Sequence, residues 1–153
     1  MSNAGRRMIL FCATGAGSGY VPVAPGTAGT AVAVVLFFIL SPLSLSLYLL
    51  TTAAFIFIAI WNAHQAALYL EVNDPPQVVI DEIAGYLVTM ASFPFTWPYV
   101  AAGFIIFRVF DIIKPYPAGW IDRKVAGGYG IVLDDVAAGI YANSVLQVIR
   151  LMM

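Results

Sequence analysis

Residues 107–135, FRVFDIIKPYPAGWIDRKVAGGYGIVLDD, hold four of the eight acidic and four of the seven basic residues of a chain that is otherwise almost entirely apolar. Arg108, Asp111 and Lys114 are spaced three apart, which on a helix turns ~60° per step and leaves all three on one broad face. Asp111 could be neutralised by its two cationic neighbours, or serve as a base, a ligand or a clamp for Arg108. Two acidic pairs, Asp81-Glu82 and Asp134-Asp135, have few cations left to pair with. Carboxylates gathered without enough cations call for a metal, and an oxygen-only set selects Mg²⁺, Mn²⁺ or Ca²⁺; Mg²⁺ commonly joins one or two carboxylates to a substrate phosphate. The candidate metal ligands are Asp81, Glu82, Asp134 and Asp135.

Each of these features also has a plainer reading. Asp134 and Asp135 could be the N-cap and first-turn acid of a last helix, where the dipole favours them. Adjacent residues point ~100° apart, so we expect one to cap and one to ligate. Gly127-Gly128-Tyr129-Gly130 is a flexible turn, or a backbone nest holding an anion, with Gly128 the substrate-binding candidate. In APGTAGT (24–30), Thr27, Gly29 and Thr30 open a helix whose N-terminus suits a phosphate, or they serve only as a Thr cap and close-packing small residues. His64, the single histidine, reads as an interfacial residue rather than a base. Cys12, the single cysteine, has no disulfide or zinc partners and reads as a small buried hydrophobe.

Positioning these groups falls to apolar helices. With 61% hydrophobic residues, 10% charged and a mean hydropathy of +0.90, the composition is that of an integral membrane protein. A net charge of −1 argues against nucleic acid. At ~20 residues per crossing, the chain holds about four to five hydrophobic helices in one domain, residues 1–153, with 1–4 read as a cloning remnant and left out of the fold. The run 8–13 is too short for a secretory signal, and no processing is expected.

Expected helices run over 27–40, 45–64, 76–93, 98–114 and 134–150. Pro42, Pro94, Pro98 and Pro115 punctuate them, and Trp97 and Tyr99 suit headgroup depth. The spans are short for an ~30 Å core, so tilt, thinning or a re-entrant pair is allowed. Arg6, Arg7 and the basic loop 114–133 place the charged loops on the cytoplasmic face of this all-α bundle. Asp81-Glu82, Arg108-Asp111 and Asp134-Asp135 then lie at similar depth, and carboxylates at such depth mark a functional site.

Several enzyme classes are excluded by absence. Cys12 has no nearby Arg for an anion loop, one histidine is too few for a histidine-nucleophile lipid phosphatase, and Asp-x-Asp does not occur. What is present is APGTAG, then DEIAG at 81–85, then FRVFDIIKPYPAGWIDRKVAGGYGIVLDDVAAG at 107–139. In this order the motifs resemble the bacterial phosphatidylglycerophosphatase A family. The resemblance implies a Mg²⁺-dependent phosphatase of the cell inner membrane that converts phosphatidylglycerophosphate to phosphatidylglycerol. On that reading Arg108 and Lys114 neutralise phosphoryl oxygens, Arg123 and Lys124 hold the headgroup or the anionic membrane surface, and Asp111 is a base, ligand, clamp or covalent nucleophile. A phosphatase for another lipid phosphate, or a small membrane carrier, are the rival readings. A carrier would spread its charges through the midplane or show repeated halves, whereas these gather on one side.

Overall fold

The computed structural model describes residues 3–152, which are all-helical: among them there is no strand. The helices are α1 (Asn3–Ala13), α2 (Pro25–Leu40), α3 (Leu45–Leu70), α4 (Ile80–Thr89), α5 (Trp97–Ile113), α6 (Ala118–Lys124) and α7 (Gly127–Met152), with one 3₁₀ turn at Ser18–Tyr20. Two of them, α3 and α7, are long and apolar enough to cross a membrane. The expected elements are present, with bounds that differ in ways that matter. The second helix runs on to Leu70 rather than stopping at 64, and the last starts at Gly127 rather than 134. The third is only ten residues long, against the eighteen expected from 76 to 93, so at ~1.5 Å per residue it is about 15 Å in length and cannot cross an ~30 Å core alone.

This short α4 is the centre of the molecule. Nearly every side chain on it is buried, and α7, α2, α3 and α5 pack around it. Tyr86 and Leu87 join Phe37, Phe107, Met90 and Leu146 in the main core. Its polar ends are tied down by other elements. Val79 N–H, at its N-cap, donates to Ala13 O (2.9 Å), and the Asn143 amide of α7 donates to Thr89 O and Ala91 O (2.8 and 2.9 Å), satisfying carbonyls that a helix end leaves free. Tyr48 and Tyr86 hydroxyls donate to Leu87 O and Val100 O.

Helices α4 and α7 run parallel in close backbone contact. A Cβ on Gly85 would lie 2.6 Å from Asp135 O, and one on Gly139 would strike Gly85 O, so both positions need glycine for the approach. Gly139 faces Gly85, and Asn143 bonds Thr89, at the same offset of 54 residues. That offset sets Asp135 beside Asp81. Cys12 is exposed, contrary to expectation, because α1 buries the face of Ile9 and Ala13 and turns Cys12 away.

Candidate active site

Four helix ends and two loops meet around a cavity of about 260 Å³. Pro25 and Gly26 of α2, Asp74, Asp81 and Glu82 of α4, Arg108 and Asp111 of α5, Lys114, and Asp134 and Asp135 of α7 all reach it. Asp81, Glu82 and Asp135 each present a carboxylate oxygen within 4.8 Å of the others. Opposed ligands of one cation bound at ~2.1–2.5 Å stand about that far apart. Asp81 Oδ1, Glu82 Oε2 and Asp135 Oδ2 are buried and accept no hydrogen bond from the protein. Buried carboxylates without partners are costly, and a hard divalent cation satisfies all three at once, so these residues fit a metal.

The cations pair chiefly with the other acids, and one of them also reaches Glu82. Arg108 pairs with Asp111 on its own helix and approaches Glu82 at 3.6 Å, while its Nε has no hydrogen-bond partner. Lys114 takes the left-handed conformation that ends α5 (φ 48°) and aims its ammonium between Asp122 and Asp134, 2.6 Å from each. Burial by itself would lower the Lys114 ammonium, but the bonds to Asp122 and Asp134 outweigh it and raise its pKa, which keeps it charged. Asp74 shifts the other way from an ordinary acid. Desolvation around its carboxyl raises its pKa, Lys114 opposes that, and repulsion from Asp122 and Asp111 reinforces it.

The two adjacent acids of α7 divide their work, though not as cap and ligand. Since α7 begins at Gly127, neither stands in its first turn, and the capping role is overturned. Asp134 instead grips Lys114 with one oxygen and accepts from Asp135 N–H with the other (2.9 Å), leaving Asp135 with Asp81 and Glu82. The glycine nest is likewise replaced by a helical turn. A Cβ on Gly128 would meet the Ile60 carbonyl of α3, so this glycine serves helix contact, away from the acidic cavity.

In the 24–30 segment the residues that reach the site, Ala24, Pro25 and Gly26, are not the ones the sequence singled out. A Cβ on Gly26 would lie 2.8 Å from Arg108 Nη1 and against Glu82 Oε1. Thr27 is exposed, Gly29 packs on Val79, and Thr30 donates to Gly26 O (2.8 Å) inside the helix. Asp74, in the loop before α4, and Asp122, on α6, are not among the candidates from sequence: neither has an acidic neighbour to mark it. Arg123 and Lys124 stand outside the acidic cavity and line a second one beside it. His64 sits against Gly127 on an exposed face of α3.

With this geometry in place, the comparisons with known proteins are direct. Residues 11–150 match the model of the family described as Phosphatidylglycerophosphatase A. The chain belongs to the phosphatidylglycerophosphatase A family. It is 40% identical to Phosphatidylglycerophosphatase A of Escherichia coli (strain K12), over 90% of this chain and 80% of that protein. It is 37% identical to the Haemophilus influenzae protein of the same name, over 93% and 88%. A Bacteroides thetaiotaomicron relative named provisionally as a phosphatidylinositol-3-phosphatase is 39% identical over 92% of each chain. No solved structure matches. Phosphatidylglycerophosphatase A relatives are phosphatases, and the acidic trio with Arg108 beside it is the arrangement in this chain suited to phosphoryl chemistry.

Proposed function

We propose that this chain hydrolyses the terminal phosphate of phosphatidylglycerophosphate, giving phosphatidylglycerol, with Mg²⁺ held by Asp81, Glu82 and Asp135. The observation that carries the reading is the set of three buried carboxylates, each with an oxygen that accepts no hydrogen bond, beside an arginine with a free donor, in a chain of this family. Bound there, Mg²⁺ would supply Lewis acidity, polarising the phosphoryl oxygens and lowering the pKa of a water. The protein's own groups do the rest. Arg108 Nε donates to a non-bridging phosphoryl oxygen, a charge-assisted contact that strengthens as charge shifts in the transition state. Asp111 clamps the guanidinium in that orientation. Lys114 keeps Asp134 neutralised and holds α5, α6 and α7 together around the cavity. Gly26 leaves room for the Glu82–Arg108 pair, which a Cβ at that position would strike.

The charged ends of α4, α5 and α7 lie at one end of the bundle, which we place at the cytoplasmic face of the inner membrane. In this topology α3 and α7 cross fully, α2 and α5 line them with tilt or local thinning, and α4 is held inside. A second headgroup is a specific alternative, since the Bacteroides relative is named for an inositol lipid. The test is phosphate release by the purified protein in detergent from phosphatidylglycerophosphate, phosphatidic acid and phosphatidylinositol 3-phosphate, after EDTA and after Mg²⁺ readdition. Mg²⁺-restored release, fastest from phosphatidylglycerophosphate, is expected. Full turnover in metal-free buffer refutes the metal role, and preference for the inositol lipid transfers the reading to that headgroup.

A further inference from the structure

The acidic cavity does not stand alone. A second cavity of about 260 Å³ shares Asp74 and Ile131 with it and is lined by Arg123, Lys124 and Asp122 of α6 and by Gly127 and Gly130 of α7. Its charge is opposite in kind. Asp122 is already neutralised by Lys114, whereas Arg123 and Lys124 form no ion pair among the described residues. Arg123 Nη1 lies 3.3 Å from where a Cβ on Gly119 would stand, so the guanidinium folds back over the preceding turn of α6, where no side chain at Gly119 obstructs it. A third cavity, of about 290 Å³, shares Ala126 with the second and is otherwise lined by Gly128, Phe57, Ile60, Trp61, Tyr129 and His64. It follows α3 away from the charged end. The order along the molecule is therefore acidic, basic, apolar.

This inference rests on the proposed function and names how the substrate is selected. Phosphatidylglycerophosphate has a terminal phosphomonoester, a three-carbon glycerol, a phosphodiester and two acyl chains, in that order. We propose that the Arg123–Lys124 cavity is a subsite for the phosphodiester of the same lipid whose terminal phosphate lies in the acidic cavity, and that its acyl chains leave along the Phe57–Trp61–Tyr129 groove. Arg123 and Lys124 are then specificity residues. They favour a lipid with two phosphates three carbons apart over one whose single phosphate is attached directly to diacylglycerol. A diester anion suits a guanidinium and an ammonium and needs no metal, which is why it is placed with the unpaired cations and the monoester with the carboxylates.

The test uses the full chain in uncharged detergent micelles, with wild type, the double variant Arg123→Ala/Lys124→Ala, and Arg123→Lys. Two quantities are read: the ratio of kcat/KM for phosphatidylglycerophosphate to that for phosphatidic acid, and the inhibition constant of phosphatidylglycerol, which keeps the diester but lacks the monoester. The double variant is expected to lower the ratio and raise the inhibition constant, each by at least about tenfold, as loss of charge-assisted contacts implies. The effect should fall on KM, with Arg123→Lys intermediate. An unchanged ratio and inhibition constant overturn the subsite, and so does an equal loss on both lipids, which indicates attraction to anionic surface alone. If wild type itself releases no phosphate from phosphatidylglycerophosphate, the proposed function fails; if wild type does and the double variant matches it, only the subsite fails.

Discussion

Gly26→Ala isolates the site from the fold. Gly26 lies in the first turn of α2, and helix propensity alone favours alanine there by roughly 0.8–1 kcal/mol. The new methyl would stand 2.8 and 2.9 Å from the two terminal nitrogens of Arg108, and nearer still to Glu82 Oε1, where ordinary non-bonded carbon contacts are ~3.5–4.0 Å. Both groups must therefore move, the guanidinium by about 0.5–1 Å and Glu82 Oε1 by more than about 1 Å. Both are the ends of flexible side chains, so they swing aside while the backbone stays. Overpacking of this sort costs ~1–3 kcal/mol and is partly offset by the propensity gain, so the thermal midpoint in detergent should change little. Activity has no such relief, since a displacement of about 1 Å in a positioning group can lower the rate ~10²-fold. The expected result is a kcat/KM about a hundredfold below wild type with a near-normal melting curve. Gly29→Ala is the contrast: its methyl would stand 2.5 Å from Val79 Cβ, which is fixed to the α4 backbone and cannot swing, so that variant should lose stability first. Wild-type kcat/KM in Gly26→Ala would show that the Glu82–Arg108 pair lies outside the reacting centre.

Other variants probe the charges one at a time. Asp81→Asn, Glu82→Gln and Asp135→Asn should each lower turnover by about 10²-fold or more and weaken Mn²⁺ binding measured by electron paramagnetic resonance; normal turnover in all three would put the active site elsewhere. Lys114→Met leaves the carboxylate of Asp134, 4% exposed, without its cation, and because Lys114 is itself 29% exposed we discount the usual cost of a broken buried pair to about 1–3 kcal/mol. Adding Asp134→Asn should recover part of that loss in the melting curve, and strictly additive losses would deny the pairing. With Cys12→Ser to remove the exposed native thiol, Ala126→Cys should react with a membrane-impermeant maleimide only in opened cells, and labelling in intact cells from the periplasm would refute the proposed orientation.

Much of the site was legible because charge is rare in this sequence. Arg108, Asp111, Lys114 and the two acidic pairs stand out against an apolar background, and the structure brings all of them to one cavity. What could not be read was which acid meets which cation. Asp134 and Asp135 are equivalent in sequence, and the start of α7 decides between them: with the helix beginning seven residues earlier than expected, the capping role disappears and the helical phase sends one acid to Lys114 and the other to Asp81. The glycines misled for a similar reason. A glycine supplies an anion nest, a turn or a close helix contact equally well, and only the neighbour decides; for Gly128 that neighbour is the Ile60 carbonyl. The length of α4 was hidden because residues 76–93 are apolar enough to continue a helix, while the stop comes from Asn143, more than fifty residues away.

The same long-range contacts explain how three carboxylates stay together at all. Asp81, Glu82 and Asp135 repel one another, most strongly where burial lowers the dielectric, so their proximity must be imposed by something other than their own interaction. The parallel register of α4 and α7 imposes it. Gly85 and Gly139 let the two backbones touch, Asn143 fixes the far end of α4, Tyr48 of α3 donates to Leu87 O of α4, and Tyr86 of α4 donates to Val100 O of α5. Sliding α4 along α7 would strand these buried donors and drive side chains into the glycine contacts, each costing about 1–3 kcal/mol. The backbone register thus holds the three acids side by side against their mutual repulsion, with Arg108 next to Glu82 at the edge of the group.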